Sequence, residues 1–125
     1  MARDPNKLAV FKLADGLVVD VYRKSRDFPV EERFGLQSQI RRGAVSVAAN
    51  IVEGCARPTE RHYLHFMSIA YASASEVAYL LRLAHRLDYL SAVDLESLED
   101  PYDKLIRGMR NLIDRLKEQP QAASR

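Results

Sequence analysis

Apolar residues recur every three or four positions along four long stretches of this chain, with only short breakers between them. That spacing puts each stretch's apolar side chains on one face of a helix. The first stretch covers residues 5–24, with Pro5 in the favourable first helical position and Leu8, Phe11, Leu17, Val18 and Val21 on its stripe. After Asp27-Phe28-Pro29, the second covers residues 30–55, with Glu31 and Glu32 in its first turn, where carboxylates complement the helix dipole. The third covers residues 59–88 behind an expected cap at Thr59, and its core stripe includes Tyr63, Phe66, Ile69, Val77 and Leu81. The fourth starts from a cap at Ser91, with Asp94 three residues on in the manner of a capping box. Its stripe is Leu95, Leu98, Tyr102, Leu105, Met109, Ile113 and Leu116. Pro101 removes a backbone donor there, so a bend or split near Glu99 is expected.

Short connections force consecutive helices to run antiparallel, so the pattern predicts an all-α, antiparallel up-down-up-down four-helix bundle. Residues 1–118 form one domain on this reading, and residues 119–125 a polar, frayed tail. At 125 residues the chain suffices for a single core, and 5 Gly and 5 Pro leave few helix breakers. The lone cysteine, Cys55, has no internal partner for a disulfide, and no stretch approaches the roughly 20 apolar residues needed to cross a bilayer. Met1 to Lys7 lacks the apolar run of a secretory signal, so a cytoplasmic location without membrane attachment is expected.

The second stretch carries more apolar surface than one bundle needs. At about 100° per residue, Gln39, Arg42, Ser46, Asn50, Glu53 and Arg57 fall into a narrow polar stripe, and the remainder of its middle is apolar or small. The third stretch repeats the excess, with Leu64, Tyr71, Ala72, Tyr79 and Leu83 opposite its core stripe. A contiguous apolar patch of this kind marks an interface, and tyrosine suits such surfaces. These five residues are therefore the expected contacts of a homo-oligomer. Ser46, Asn50, Glu53 and Glu76 read as structural polar groups that bond neighbouring helices and fix their register, the two glutamates pairing with Arg41 or Arg42.

Catalytic machinery is not apparent. A di-metal carboxylate bundle needs Glu-x-x-His motifs, and none occurs. His62 and His65 stand three apart without a third ligand, so no metal site is expected. Cys55 has no sequence signal for an activating base, and there is no Gly-rich phosphate loop. The expectation is a non-enzymatic protein without a cofactor.

Net charge is only +2, so the distribution of charge decides what it means. In an up-down-up-down bundle the end of the fourth helix lies beside the start of the first and the turn between the second and third. That topology gathers Arg3, Lys7, Arg57, Arg61, Arg110, Arg115 and Lys117 at one end, diluted by Asp4, Glu53, Glu60, Asp114 and Glu118. Repeated around an oligomer, the excess forms a multivalent patch for the phosphates of RNA or DNA. A structural or protein-interaction scaffold with no nucleic-acid role is the alternative.

Residues 28–90 also resemble a known family. The run FPVEERFGLQSQIRRGAVSVAANIVEGCAR, followed by ERHYLHFMSIAYASASEVAYLL, is similar to bacterial four-helix-bundle proteins encoded in 23S rRNA intervening sequences. The likeness is carried by Phe28-Pro29, Glu32-Arg33, Leu36, Gln39-Ile40-Arg41-Arg42, Ser46, Asn50-Ile51, Glu53-Gly54, Arg57 and Ser73 with Glu76. Gly43 and Ala72 depart from it, standing where alanine and glycine are usual. The resemblance implies a left-handed antiparallel bundle and a homopentamer. It also implies kinship with accessory proteins of the reverse transcriptases of diversity-generating retroelements, which form basic pentameric barrels. A reverse transcriptase is then a possible protein partner, and Arg41, Arg42, Arg57 and Arg61 are candidates for touching nucleic acid.

Overall fold

A computed structural model describes residues 3–118. Four helices account for most of it: α1 (Ala9–Lys24), α2 (Leu36–Cys55), α3 (Glu60–Arg86) and α4 (Ala92–Glu118). Residues 119–125, the expected tail, lie outside the described residues. Among the described residues there is no strand, and the fold is the all-α four-helix bundle the spacing predicts.

Pairs of touching residues give the topology. From α2 to α3, Gln39 meets Glu76 and Ser46 meets Ser73, so the contacts climb one helix as they descend the other. From α3 to α4, Tyr71 meets Arg110 and Arg82 meets Glu99 in the same sense. α1 and α4 touch, as do α1 and α2, whereas among the described residues α1 does not reach α3, nor α2 reach α4. The helices occupy the corners of a square, each antiparallel to its sequence neighbours.

The core lies along the central axis. α1 contributes Ala14, Leu17 and Val21, while α4 contributes Leu98, Tyr102, Leu105, Met109, Ile113 and Leu116. Between α2 and α3 two glycines let the helices approach closely: a β-carbon on Gly43 would meet Val77 Cγ2 at 2.7 Å, and one on Gly54 the Phe66 Cβ at 3.0 Å.

Local chemistry explains the helix ends. Thr59 Oγ1 accepts from the His62 amide at 3.1 Å and Ser91 Oγ from the Asp94 amide at 3.0 Å, which are the two expected caps. α3 closes with the Tyr89 amide donating to the Ala84 carbonyl and the Asp88 amide to the His85 carbonyl, both at 2.9 Å. Asp88 takes the left-handed conformation this closure requires, with φ of 65°.

Three boundaries differ from the expectation. Residues Pro5–Lys7 form a separate 3-10 turn, closed by the Asp4 carboxylate on the Asn6 amide, and an extended Leu8 intervenes before α1. Val30–Glu32 is likewise a 3-10 turn, and α2 begins only at Leu36, whose amide donates to Glu32 Oε1 at 2.9 Å. The acidic pair thus precedes α2, and Glu32 reaches forward to cap it. At Pro101, where a bend or a split was expected, the helix is not split: Pro101 sits inside the continuous α4. One hydrogen bond is lost, but Leu98 and Tyr102, each 1% exposed, anchor the helix on both sides of it.

Candidate nucleic-acid interface

The antiparallel square brings the start of α1, the end of α2, the start of α3 and the end of α4 to one end of the bundle, as the topology argument requires. Several cations there are already engaged. The Arg3 amide donates to the Cys55 carbonyl at 2.8 Å, its guanidinium pairs with Glu60, and it lies 3.7 Å over the Tyr63 ring. Arg57 pairs with Glu53 one turn back and lies 5.1 Å over Phe66. Arg110, expected in this cluster, lies instead farther up the bundle, where it donates to the hydroxyl of Tyr71 near the middle of α3 at 3.0 Å. Arg61, Arg115, Lys117 and Lys7 remain exposed, and among the described residues their side chains make no hydrogen bond or ion pair. Tyr63 is 2% exposed, and burial lifts its phenol above the ordinary range, opposed by the positive charges of Arg3 and Arg115.

Arg41 and Arg42 part company. Arg41 Nε donates to Ser25 Oγ at 2.9 Å, Nη2 donates to the Tyr22 carbonyl at 3.0 Å, and the guanidinium lies 4.7 Å over the Tyr22 ring. It clamps the end of α1, where a cation complements the helix dipole. Arg42 is exposed and makes no hydrogen bond or ion pair among the described residues. The expected pairing of Glu53 and Glu76 with Arg41 or Arg42 is therefore corrected: Glu53 holds Arg57, and Glu76 Oε2 accepts from Gln39 Nε2 at 3.4 Å. Arg41 is drawn to the end of α1 by Ser25 and Tyr22, whereas Arg42 lines a groove with Glu76 without pairing with it.

The polar stripe of α2 turns toward α3. Ser46 and Ser73 hydroxyls meet at 2.9 Å, and Asn50 Nδ2 donates to the Ser46 carbonyl at 2.8 Å and its hydroxyl at 3.0 Å. Beside this seam lies an open groove of about 550 Å³, lined by Gln39, Arg42, Gly43, Ser46, Ser73 and Glu76, with Phe34, Gly35 and Ser38 completing it. Phe34 and the groove were not singled out by periodicity, since Phe34 precedes the helix and belongs to no stripe.

The expected contact residues on α3 divide as well. Tyr79 is 52% exposed and Ala72 is exposed, whereas Leu64, Tyr71 and Leu83 are half-buried against the chain's own core. α3 packs against two neighbours, α2 and α4, so its buried arc is wider than one stripe. The larger uncovered apolar face belongs to α1 and α2, through Val19, Tyr22, Val45 and Val52. The wide apolar arc of α2 signalled it, without distinguishing which positions stay outside.

His62 Nδ1 lies 2.8 Å from Thr59 Oγ1, and His65 stacks edge-on to Phe66. Among the described residues no helix is long and apolar enough to cross a membrane.

The chain is similar in fold to a solved protein of unknown function from the S23 ribosomal protein family of Bacteroides thetaiotaomicron VPI-5482. The TM-score is 0.77 at 23% identity, covering 84% of this chain and 95% of the other. No protein of curated description matches. The family model described as 23S rRNA-intervening sequence protein matches residues 6–111, which takes in all of α1, α2 and α3 and most of α4. On that match the chain belongs to the 23S rRNA-intervening sequence protein family.

Proposed function

We propose that this protein is a non-catalytic helical scaffold that assembles from copies of itself and holds RNA or DNA against its basic end. The observation that carries the reading is the set of uncommitted cations, Arg61, Arg115, Lys117 and Lys7, that the antiparallel topology collects there. Lysine and arginine side chains free of internal carboxylates are available to neutralise phosphates. Self-association rests on the exposed apolar residues of α1 and α2 together with Tyr79. Five subunits is the number the family likeness implies, and a reverse transcriptase is the partner class it suggests. The reduced, buried Cys55 suits a cytoplasmic setting.

A second reading, a protein-interaction scaffold without nucleic acid, draws on the glutamates that occupy Arg3 and Arg57. A salt titration of structured-RNA binding separates the two. Phosphate neutralisation makes log affinity fall linearly with log salt, and Arg61→Glu with Arg115→Glu together should abolish binding while light scattering finds the assembly unchanged. Binding indifferent to salt would favour the second reading.

A further inference from the structure

The groove between the first half of α2 and the middle of α3 has the volume of a small-ligand site, about 550 Å³. Three of its features converge on one ligand chemistry. Phe34 is 91% exposed in the turn leading into α2, so its ring is open for a planar group to stack on. Arg42 offers a guanidinium with no hydrogen bond or ion pair among the described residues, in contrast to the fully engaged Arg41 beside it. Gln39 and Glu76 meet across the groove at 3.4 Å and present an amide and a carboxylate to whatever enters. An aromatic platform, a cation and a short row of hydrogen-bonding groups are the parts that proteins use to hold an unstacked base with its phosphate.

We propose that this groove binds one unpaired nucleotide of a single-stranded RNA or DNA segment. The base stacks on Phe34, its phosphate meets Arg42, and its edge is read by Gln39 and Glu76. A carboxylate only accepts hydrogen bonds, so Glu76 selects bases that present donors. Guanine offers adjacent N1–H and N2–H groups to a single carboxylate. Uracil offers one N–H flanked by two carbonyl oxygens, which the carboxylate repels. Adenine and cytosine each set one amino group beside a bare ring nitrogen, whose lone pair the carboxylate repels, so guanine is the preferred occupant. The inference rests on the nucleic-acid reading above but uses residues well away from Arg61 and Arg115, so the two can fail separately.

The test is ligand-observed NMR with guanosine monophosphate and uridine monophosphate, alongside fluorescence anisotropy of a short guanine-containing single strand and of its duplex. The full chain should prefer the guanine nucleotide and the single strand. Losing one stacked base or one phosphate contact should weaken single-strand binding about tenfold in each of Phe34→Ala and Arg42→Gln, with helicity and assembly mass unchanged. Arg61→Glu should leave guanosine monophosphate binding intact. The groove proposal is overturned if the unmodified protein ignores guanosine monophosphate, if both groove variants bind the single strand normally, or if duplex binds equally well. A change of assembly mass in Phe34→Ala, with strand binding retained, also overturns it by assigning the groove to a second copy of the chain. Salt-dependent RNA binding that survives any of these results leaves the basic-end reading standing, whereas its absence in the unmodified protein sinks that reading.

Discussion

Gly54 and Phe66 touch so closely across the α2–α3 seam that a β-carbon on Gly54 would lie 3.0 Å from the Phe66 Cβ. It would also come within 2.9 Å of Met67 Cε, on a side chain that is fully buried. A methionine tip can swing aside, but a β-carbon is fixed to its backbone. Gly54→Ala should therefore destabilise the bundle by about 1–3 kcal/mol despite alanine's better helix propensity. At Gly16, in the middle of α1, an added β-carbon meets nothing within 4 Å. Gly16→Ala should stabilise by about 0.5–1 kcal/mol. Urea unfolding of the two variants should give opposite signs, and a Gly54→Ala variant no less stable than the unmodified protein would refute the close approach at Gly54.

Asp88 holds the left-handed position in the turn between α3 and α4, with φ of 65°. A side chain there costs about 1 kcal/mol that glycine does not incur. Asp88→Gly should raise the thermal midpoint, and Asp88→Val should lower it, because a β-branched residue tolerates positive φ least. Calorimetry of the pair checks the assignment.

Tyr102 is 1% exposed, and burial, reinforced by the charge of Asp20, holds its phenol far above the ordinary tyrosine range. In the unfolded chain it titrates near pH 10. Its contribution to stability is thus complete below that pH and is lost as the pH climbs above it, at up to about 1.4 kcal/mol per pH unit. Burial shifts Tyr63 in the same direction. Denaturant midpoints measured from neutral to alkaline pH should fall beyond pH about 10, less steeply in Tyr102→Phe. An unchanged slope in that variant would contradict the burial.

Cys55 is 1% exposed, and burial raises its thiol above the ordinary range in spite of the nearby Arg3 charge. The thiolate is the reactive form, so the native protein should resist thiol reagents at neutral pH and react fully in denaturant. Rapid native labelling would mean that the amide of Arg3 does not keep the Cys55 carbonyl, and with it the end of α2, covered.

The bundle was legible because its evidence is local. The stripe of α4 from Leu98 to Leu116 and the caps at Thr59 and Ser91 need only spacing and short side chains. Helix starts were less legible. Asp4 and Glu32 act across 3-10 turns that mimic the first turn of a helix, so Pro5 and Val30 read as helix starts when they are not. Of the bend or split expected at Pro101, the split does not occur, because burial of Leu98 and Tyr102 outweighs the local cost of one lost hydrogen bond. Partner choice among the arginines lay beyond sequence. Arg41 and Arg42 are adjacent letters, yet a rotation of about 100° sends one to α1 and leaves the other at the groove.

At Gly43 and Gly54 the α2–α3 seam has no room for even one added carbon. Sliding one of these two helices along the other would drive a side chain into backbone, so the α2–α3 pair resists shear.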